Sequence, residues 1–462
     1  MNRRRVLQGF GALAGVGVLG RFGLLPPSPS RTLEPADQLA ARFFESLDDK
    51  QRAEACVPYD HPLRQLHNKG LWTAGLLATP LALGWTQRRL LTDLLHAGLS
   101  AAGRERVPNE YYSRWPGVHA MKVLICGDPR RPPYQLILSG AHLNLRIGGA
   151  SREGAAFGGP LVYGDQRGDG VPGLPRNLYR FQLDTATRLF RGLTSEQQRL
   201  ALLPTSPIQT AIQLQGPEGH FPGAPVSTLS AGNRALAREL ISGILSTWPE
   251  DGAAYAWRCL DHNGGPEALS LSYYADSDPG GRGAPQNVRL EGPAAVLYFR
   301  GDPHVHAFLS VTMDPSAPLS VGAPVGNNPA PLEGAAVQRF FEAAMLDQSG
   351  ADLAFYDLDA VAGRLRAGPV REGDLYALES WQDGTARVEI TGANLRPALV
   401  ASLRAAGKEL DPRRTYAVAT ARYVADHDAP ELLGHPEAVT PGPPLRDVLI
   451  AHARQRGFPA RG

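Results

Sequence analysis

Two imidazoles two residues apart are the clearest chemical signal in this 462-residue chain, in Tyr298-Phe299-Arg300-Gly301-Asp302-Pro303-His304-Val305-His306-Ala307-Phe308. On a strand, positions i and i+2 project from one face. His304 and His306 there can hold one transition metal and leave room for a third ligand and water. His142, in the strand-like run Gly140-Ala141-His142-Leu143, is the candidate third ligand, and His61 and His67 beside Asp60 offer further nitrogens. A site of imidazole and carboxylate without thiolate suits zinc, copper or iron. The same histidines also serve as hydrogen-bonded core or rim residues in many strands. Cys56, Cys126 and Cys259 stand singly with no CxxC, which rules out a cysteine zinc knuckle or a thioredoxin-type site. Buried thiols, or one disulfide and one free thiol, both fit three cysteines. The chain carries no G-x-S-x-G elbow, HExxH or Walker A loop.

The elements that must position these residues are those of a globular, turn-rich protein: 43% hydrophobic, 20% charged, with 51 Gly and 40 Pro. The length predicts two or three domains. A net charge of +2 argues neither for nor against a charged partner, and no basic stripe interleaved with aromatics predicts a nucleic-acid surface. Asn2-Arg3-Arg4-Arg5-Val6-Leu7-Gln8, followed by the Gly/Ala-rich run Gly9 to Leu19, resembles a twin-arginine export signal. The run is too short and glycine-rich for a membrane span. Residues 1–34 are therefore expected to engage the twin-arginine translocase and send the protein to the periplasm or beyond. No clean A-x-A cleavage site precedes Pro26, so removal of the segment and its retention as an uncleaved membrane anchor both stay open.

Beyond residue 35 the sequence repeats itself. Leu39, Phe43, Phe44 and Leu47 have helical spacing within 36–57. Arg42, Phe44, Leu47 and Gln51 recur as Arg188, Phe190, Leu193 and Gln197, and Pro58 as Pro204, at an offset of 146. Arg88, Leu90, Leu94, Leu99 and Ser100 recur as Arg234, Leu236, Leu240, Leu245 and Ser246. Two halves, about 35–160 and 180–314, each helices followed by strands, predict an internally duplicated α+β domain with a ligand site where the halves meet.

This region resembles the family catalogued as domain of unknown function 3500, over about residues 35–314. The resemblance rests on Leu47-Asp48-Asp49-Lys50-Gln51-Arg52, Tyr59-Asp60 and Arg64, on Gly140-Ala141-His142-Leu143-Asn144-Leu145, on Phe157-Gly158-Gly159-Pro160, and on His304-Val305-His306. The family pattern has a second His where Ala141 stands and an Asn where Arg146 stands. Its closing Arg-Asp pair is reduced to Asp314. The resemblance implies a fold unit and candidate residues, with no reaction attached.

Residues 315–334 have a linker composition. After them, strands near 351–356 and 387–390, a helix from Asn394 to Ala405, a strand at 415–419 and a helix at 445–455 predict a mixed α/β domain over 335–462. It resembles the C-terminal domain of 5′-nucleotidases through Ala351-Asp352-Leu353-Ala354, Gly373-Asp374-Leu375-Tyr376, Val388-Glu389-Ile390-Thr391-Gly392-Ala393-Asn394-Leu395 and Leu445-Arg446-Asp447-Val448. The Arg of that family's Asn-Gly-Gly-Gly-Ile-Arg loop is replaced by Ala362, with Asp357 and Asp359 in the same loop. Trp381 keeps one aromatic platform, and the Gly-Gly-Asp-Gly-aromatic stretch becomes Asp426-His427-Asp428-Ala429-Pro430. Nothing resembles the Gly-Asn-His-Glu of the family's metallophosphatase domain. The expectation is an exported protein that binds a transition metal or small ligand between duplicated halves. The alternatives are a non-enzymatic ligand or docking module built on Trp381, Asp357 and Asp359, and a nucleotide or phosphoester hydrolase.

Overall fold

A computed structural model describes residues 35–65, 76–77, 82–112, 121–140, 143–148, 159–164, 178–207, 214–278, 285–301, 305–316, 321–361, 363–379 and 381–460. They fall into two compact units that divide at residues 319/320.

The first unit opens with α1 (Ala36–Glu45) and α2 (Asp49–Ala55), then β1 (Cys56–Val57) and β2 (Leu76–Leu77). The single helix expected over 36–57 is broken at Ser46–Asp48. Asp48 accepts from the Gln51 backbone N–H and donates its own N–H to the Gln51 side chain, a capping box that starts a new helix. Next come α3 (Trp85–Ala97), α4 (Ala101–Tyr112), β3 (Lys122–Asp128), β4 (Arg131–Gly140), β5 (Leu143–Ile147) and β6 (Gly159–Gly164). The order then recurs: α5 (Arg180–Arg191), α6 (Ser195–Ala201), β7 (Leu202–Leu203), β8 (Ala224–Pro225), α7 (Ala231–Leu245), α8 (Glu250–His262), β9 (Ser270–Tyr274), β10 (Asn287–Gly292), β11 (Ala295–Arg300) and β12 (His306–Val311).

One sheet joins these strands in the order β1-β3-β4-β5-β6-β12-β11-β10-β9-β7, with β2 on β3 and β8 on β9. Read from either edge, a two-residue parallel strand leads into an antiparallel meander. The meanders meet at the antiparallel β6–β12 seam, where Gly164, Tyr163 and Val162 lie opposite His306, Ala307 and Phe308.

The helices cover one face of the sheet. Tyr134 donates to Asp37 of α1, the Tyr273 hydroxyl donates to the Ala186 carbonyl of α5 at 2.7 Å, and Leu145 and Ile147 close on Gly98 at the end of α3. Leu136, Leu138, Leu143, Leu145, Val288, Leu290, Leu297 and Leu309 share that apolar parity and one core with Phe43, Leu94, Leu189 and Leu240. The same parity settles the cysteines, all of which are free thiols. Cys56 pairs with Ile125 and packs on the helix side, whereas Cys126 pairs with Gln135 and projects from the opposite face. Two thiols on opposite faces cannot bridge.

The second unit has its own core. It contains β13 (Pro324–Asn328), α9 (Ala335–Ser349), β14 (Leu353–Phe355), β15 (Gly368–Arg371), α10 (Glu372–Leu378), β16 (Gly384–Thr391), α11 (Pro397–Ala405), β17 (Thr415–Ala421), α12 (Ala429–Leu432), β18 (Ala438–Pro444) and α13 (Leu445–Arg456). The main sheet runs β14-β17-β16-β18, and β13 pairs with β15. The linker expected at 315–334 is thereby corrected: Pro324–Asn328 form a strand and Leu332 bridges to Leu365. Proline-rich composition misleads here because an edge strand with one neighbour tolerates missing N–H donors.

Candidate polar sheet face and nucleotidase-like loops

The face of the first unit's sheet turned away from the helices mixes apolar side chains such as Ile137, Val296 and Phe308 with polar ones, and the polar ones are buried. Gln135 and Ser139 on β4, Asn144 and Arg146 on β5, Asn287, Arg289 and Glu291 on β10, Arg300 on β11, and His306 and Ser310 on β12 are each less than a tenth exposed. Strict alternation with leucine and valine assigns such positions to solvent when read from sequence. Their burial marks a face built to keep polar groups dry, and a buried donor without a partner costs about 1–3 kcal/mol.

Arg289 and Glu291 form a two-pronged ion pair, at 2.7 and 3.0 Å, and Gln215 donates to the same carboxylate at 2.6 Å. Tyr298 lies between Tyr274 and Phe308, with ring centroids 6.3 and 5.9 Å away, and burial pushes its hydroxyl up to about 12. Asn287 donates to Ser206 Oγ at 3.0 Å. On the other side of the seam, Arg146 donates to the Arg64 carbonyl at 2.6 Å and to Gln135 Oε1 at 3.0 Å. Burial, with the Arg64 charge adding to it, holds the Arg146 guanidinium below its ordinary value.

Of His304, His306 and His142, only His306 falls within the described residues; of the further nitrogens, His61 is described, its Nδ1 accepting from the Leu63 N–H at 3.2 Å, and His67 is not. His306 starts β12 between Gly164 of β6 and Arg300 of β11, is 2% exposed, and has its ring 6.1 Å from Phe308. Its Nδ1 stands 3.1 Å from Arg300 Nη2. A guanidinium only donates, so Nδ1 accepts and the ring proton sits on Nε2. Among the described residues, no three His, Cys, Asp or Glu side chains are grouped closely enough to hold a metal ion.

In the second unit, Asp357 caps a short 3₁₀ turn, accepting from the Asp359 backbone N–H at 3.0 Å. Trp381 Nε1 donates to the Ala360 carbonyl at 2.7 Å, so the loop of Asp357 and Asp359 and the Trp381 turn are tied together. Trp381, Asp357 and Asp359 are all half-buried. The turn is anchored from below: Glu379, fully buried, accepts from the Trp381 N–H at 3.2 Å and pairs with buried Arg446 at 3.3 Å. Gln382 takes a left-handed conformation, φ 55°, uncommon for a residue with a Cβ. Asp383 beside it accepts from the Tyr423 N–H, and the Tyr423 ring stacks on His427, with centroids 4.5 Å apart, along the π-helical turn Val424–Asp428. Three loops with aromatic and carboxylate side chains are linked in this way. Ala362 lies outside the described residues.

Sequence reasoning found the histidine strand and Trp381 but missed Gln135, Arg289, Arg300 and Ser310. Alternation as in Asn287-Val288-Arg289-Leu290-Glu291 marks them as one face of a strand but carries no signal that separates a buried polar face from a solvated one.

No curated protein matches the chain. Among solved structures, the 5′-nucleotidase precursor from Thermus thermophilus is 11% identical over 42% of this chain and 53% of its own, with a TM-score of 0.25. A putative 5′-nucleotidase from Staphylococcus aureus, in complex with alpha-ketoglutarate, is 10% identical over 37% and 48%, with a TM-score of 0.22. The chain thus spans about half the length of these structures. Residues 320–406 match the 5′-nucleotidase C-terminal domain, and residues 30–310, well over half the chain, match the family described as protein of unknown function (DUF3500). The chain belongs to that family of unknown function, here fused to a 5′-nucleotidase C-terminal-like domain.

Proposed function

We propose that the first unit is the small-ligand-binding domain of an exported protein, with its site on the polar sheet face where β5, β6, β12 and β11 meet. The observation that carries this reading is the burial of hydrogen-bonding side chains on both sides of the seam. The two halves are read as copies of one unit. Gln51 donates to the Ala82 carbonyl as Gln197 does to Thr228, and Gln87 donates to Ser46 as Asn233 does to Gly192, all at the offset of 146. Export rests on the twin-arginine pattern of Arg3 and Arg4; among the described residues, no helix is long and apolar enough to cross a membrane.

A small ligand is favoured over a transition metal because the Arg300 guanidinium beside His306 opposes a second cation there. A zinc, copper or iron site would recruit His304 and His142 with His306. The nucleotidase-like unit serves in this reading as an accessory platform, supported by the tie between Trp381 and the Ala360 carbonyl.

Thermal shift of the full chain against a panel of anionic, neutral and cationic metabolites, plus Zn²⁺, Cu²⁺ and Fe²⁺, tests the assignment. At least one organic class raises the unfolding temperature of the wild type and has no effect on His306→Leu. No shift by any class, or equal shifts in both proteins, removes the site. A saturable metal shift lost in His304→Ala/His306→Ala replaces it with the metal reading.

A further inference from the structure

We propose that the β1–β6 half of the first unit holds a small anion, a halide or a short carboxylate, beneath the turn of residues 58–65, received by Arg64 Nε and Gln135 Nε2. Gln135, 1% exposed, sits on β4 opposite Cys126 of β3. Its Oε1 accepts from Arg146 at 3.0 Å, because a guanidinium only donates, and this fixes which way the amide is turned. Nε2 is left a buried donor with no hydrogen-bond partner among the described residues, and Arg64 Nε is a second. The path of the chain brings these two donors together. The Arg64 carbonyl meets Arg146 of β5 at 2.6 Å, while its guanidinium lies 4.1 Å from the centre of the Tyr59 ring, and Tyr59 adjoins Gly127 of β3. The Arg64 side chain therefore runs from β5 back toward β3 across β4, the strand of Gln135. Burial first, and the Arg64 charge second, act against the Arg146 guanidinium, so an anion there is favoured by charge as well as by hydrogen bonding.

The β7–β12 half shows the same arrangement completed by the chain itself. Val57 of β1 pairs with Cys126, and Leu203 of β7 pairs with Tyr274. Counted from those pairs, Asp60 and Ser206 hold one position of the two turns, Asp128 and Asp276 one position beyond β3 and β9, and Gln135 and Asn287 matching places on β4 and β10. Asn287 donates to Ser206 Oγ at 3.0 Å, and Ser206 Oγ donates on to Asp276 at 2.7 Å. The buried amide thus ends on an oxygen backed by a carboxylate. In the β1–β6 half Asp128 is held instead by Arg130, at 2.8 and 2.9 Å, and Asp60 is engaged elsewhere. An external anion takes the place that the Ser206 oxygen fills. This site lies between β3 and β5, and its argument stands on strand register, independent of the ligand site read at the β6–β12 seam.

Thermal unfolding of the full-length protein tests the site, with sodium chloride, bromide, formate or acetate exchanged for sodium sulfate at constant ionic strength. At least one monovalent anion raises the unfolding temperature saturably, and which one decides between halide and carboxylate. Gln135→Leu weakens that anion by roughly tenfold or more, the loss of one hydrogen bond to a charged group. Ser206→Ala, in the other half, leaves its affinity unchanged. Gln135→Glu supplies a carboxylate between the two guanidiniums, so it unfolds above the wild-type temperature in sulfate alone and no longer responds to the anion. That variant decides the matter if Gln135→Leu does not fold. A crystal grown in the responding anion shows it within hydrogen-bond distance of Gln135 Nε2. No saturable response to any of the four overturns the proposal. So does a rise that is linear in salt and equal in the wild type and the Gln135 variants, which is a general salt effect. A water in place of the anion in that crystal overturns it as well.

Discussion

Cys126 and Arg146 project from the same sheet face, and burial acts on each against its charged form. The Cys126 thiol is pushed up to about 12 by desolvation, and half-buried Cys56, on the helix side, to about 11. Thiolate is the nucleophile, so a thiol held that high is inert at neutral pH. Native protein at pH 8 is expected to take up less than one iodoacetamide per chain in an hour, and three after unfolding in urea without reductant. Two alkylations fewer in urea would reveal a disulfide and refute the free-thiol assignment. The linkage sign follows from the raised values: the folded state keeps these protons between the ordinary thiol range and about 12, so their contribution is complete below that range and is lost as pH rises through it. At this scale the sequence was legible where chemistry is rare. The paired histidines and Trp381 stood out, whereas Arg146 was noticed only as a departure from a family pattern. Neither composition nor spacing distinguishes a buried arginine on a two-sided sheet from a solvated one.

Helix starts are where the first unit's elements are most plainly written in sequence. Asp48 with Gln51, and Thr194 with Gln197, form the same capping box, and each glutamine also donates to the loop before the next helix. Replacing an N-cap by alanine costs about 1 kcal/mol. Asp48→Ala and Thr194→Ala are therefore expected to raise amide exchange in 49–55 and 195–201 respectively by roughly fivefold, each leaving the other helix unchanged. Equal exchange in wild type and variants would remove the caps from the account of these helices. The break at Ser46–Asp48 was missed because the 3–4 spacing of Leu39, Phe43 and Leu47 continues across it, and periodicity does not register a change of axis. Strand β13 was missed for a different reason. Proline and glycine mark both linkers and edge strands, and only the pairing of Pro324–Asn328 with Gly368–Arg371 decides between them.

At the scale of the whole molecule, the α+β class and the nucleotidase-like domain were legible, because both follow from framework residues that pack. The mirrored order of the first sheet was not, since strand order depends on tertiary pairing. That order has a consequence for cooperativity. The apolar core of the first unit is one cluster running from Leu39 through Leu143 and Leu145 to Leu297 and Phe308, so the unit is expected to unfold as a whole. The second unit has a separate cluster around Phe341, Val388, Val418 and Leu449. Calorimetry of the full chain should therefore resolve two unfolding events. Leu290→Ala, at a fully buried position of the first core, is expected to cost about 2–5 kcal/mol and lower one of them. Val388→Ala is expected to lower the other by a smaller amount, because less buried volume is removed. Trp381 fluorescence does not isolate the second event, since Trp248 is buried in the first unit, so the assignment rests on which variant moves which peak. If both variants shifted one shared peak, the two clusters would be a single cooperative unit. Residues 35–164 expressed alone should give no cooperative transition, because that fragment ends at the β6–β12 seam and leaves the edge of β6 without its backbone partner.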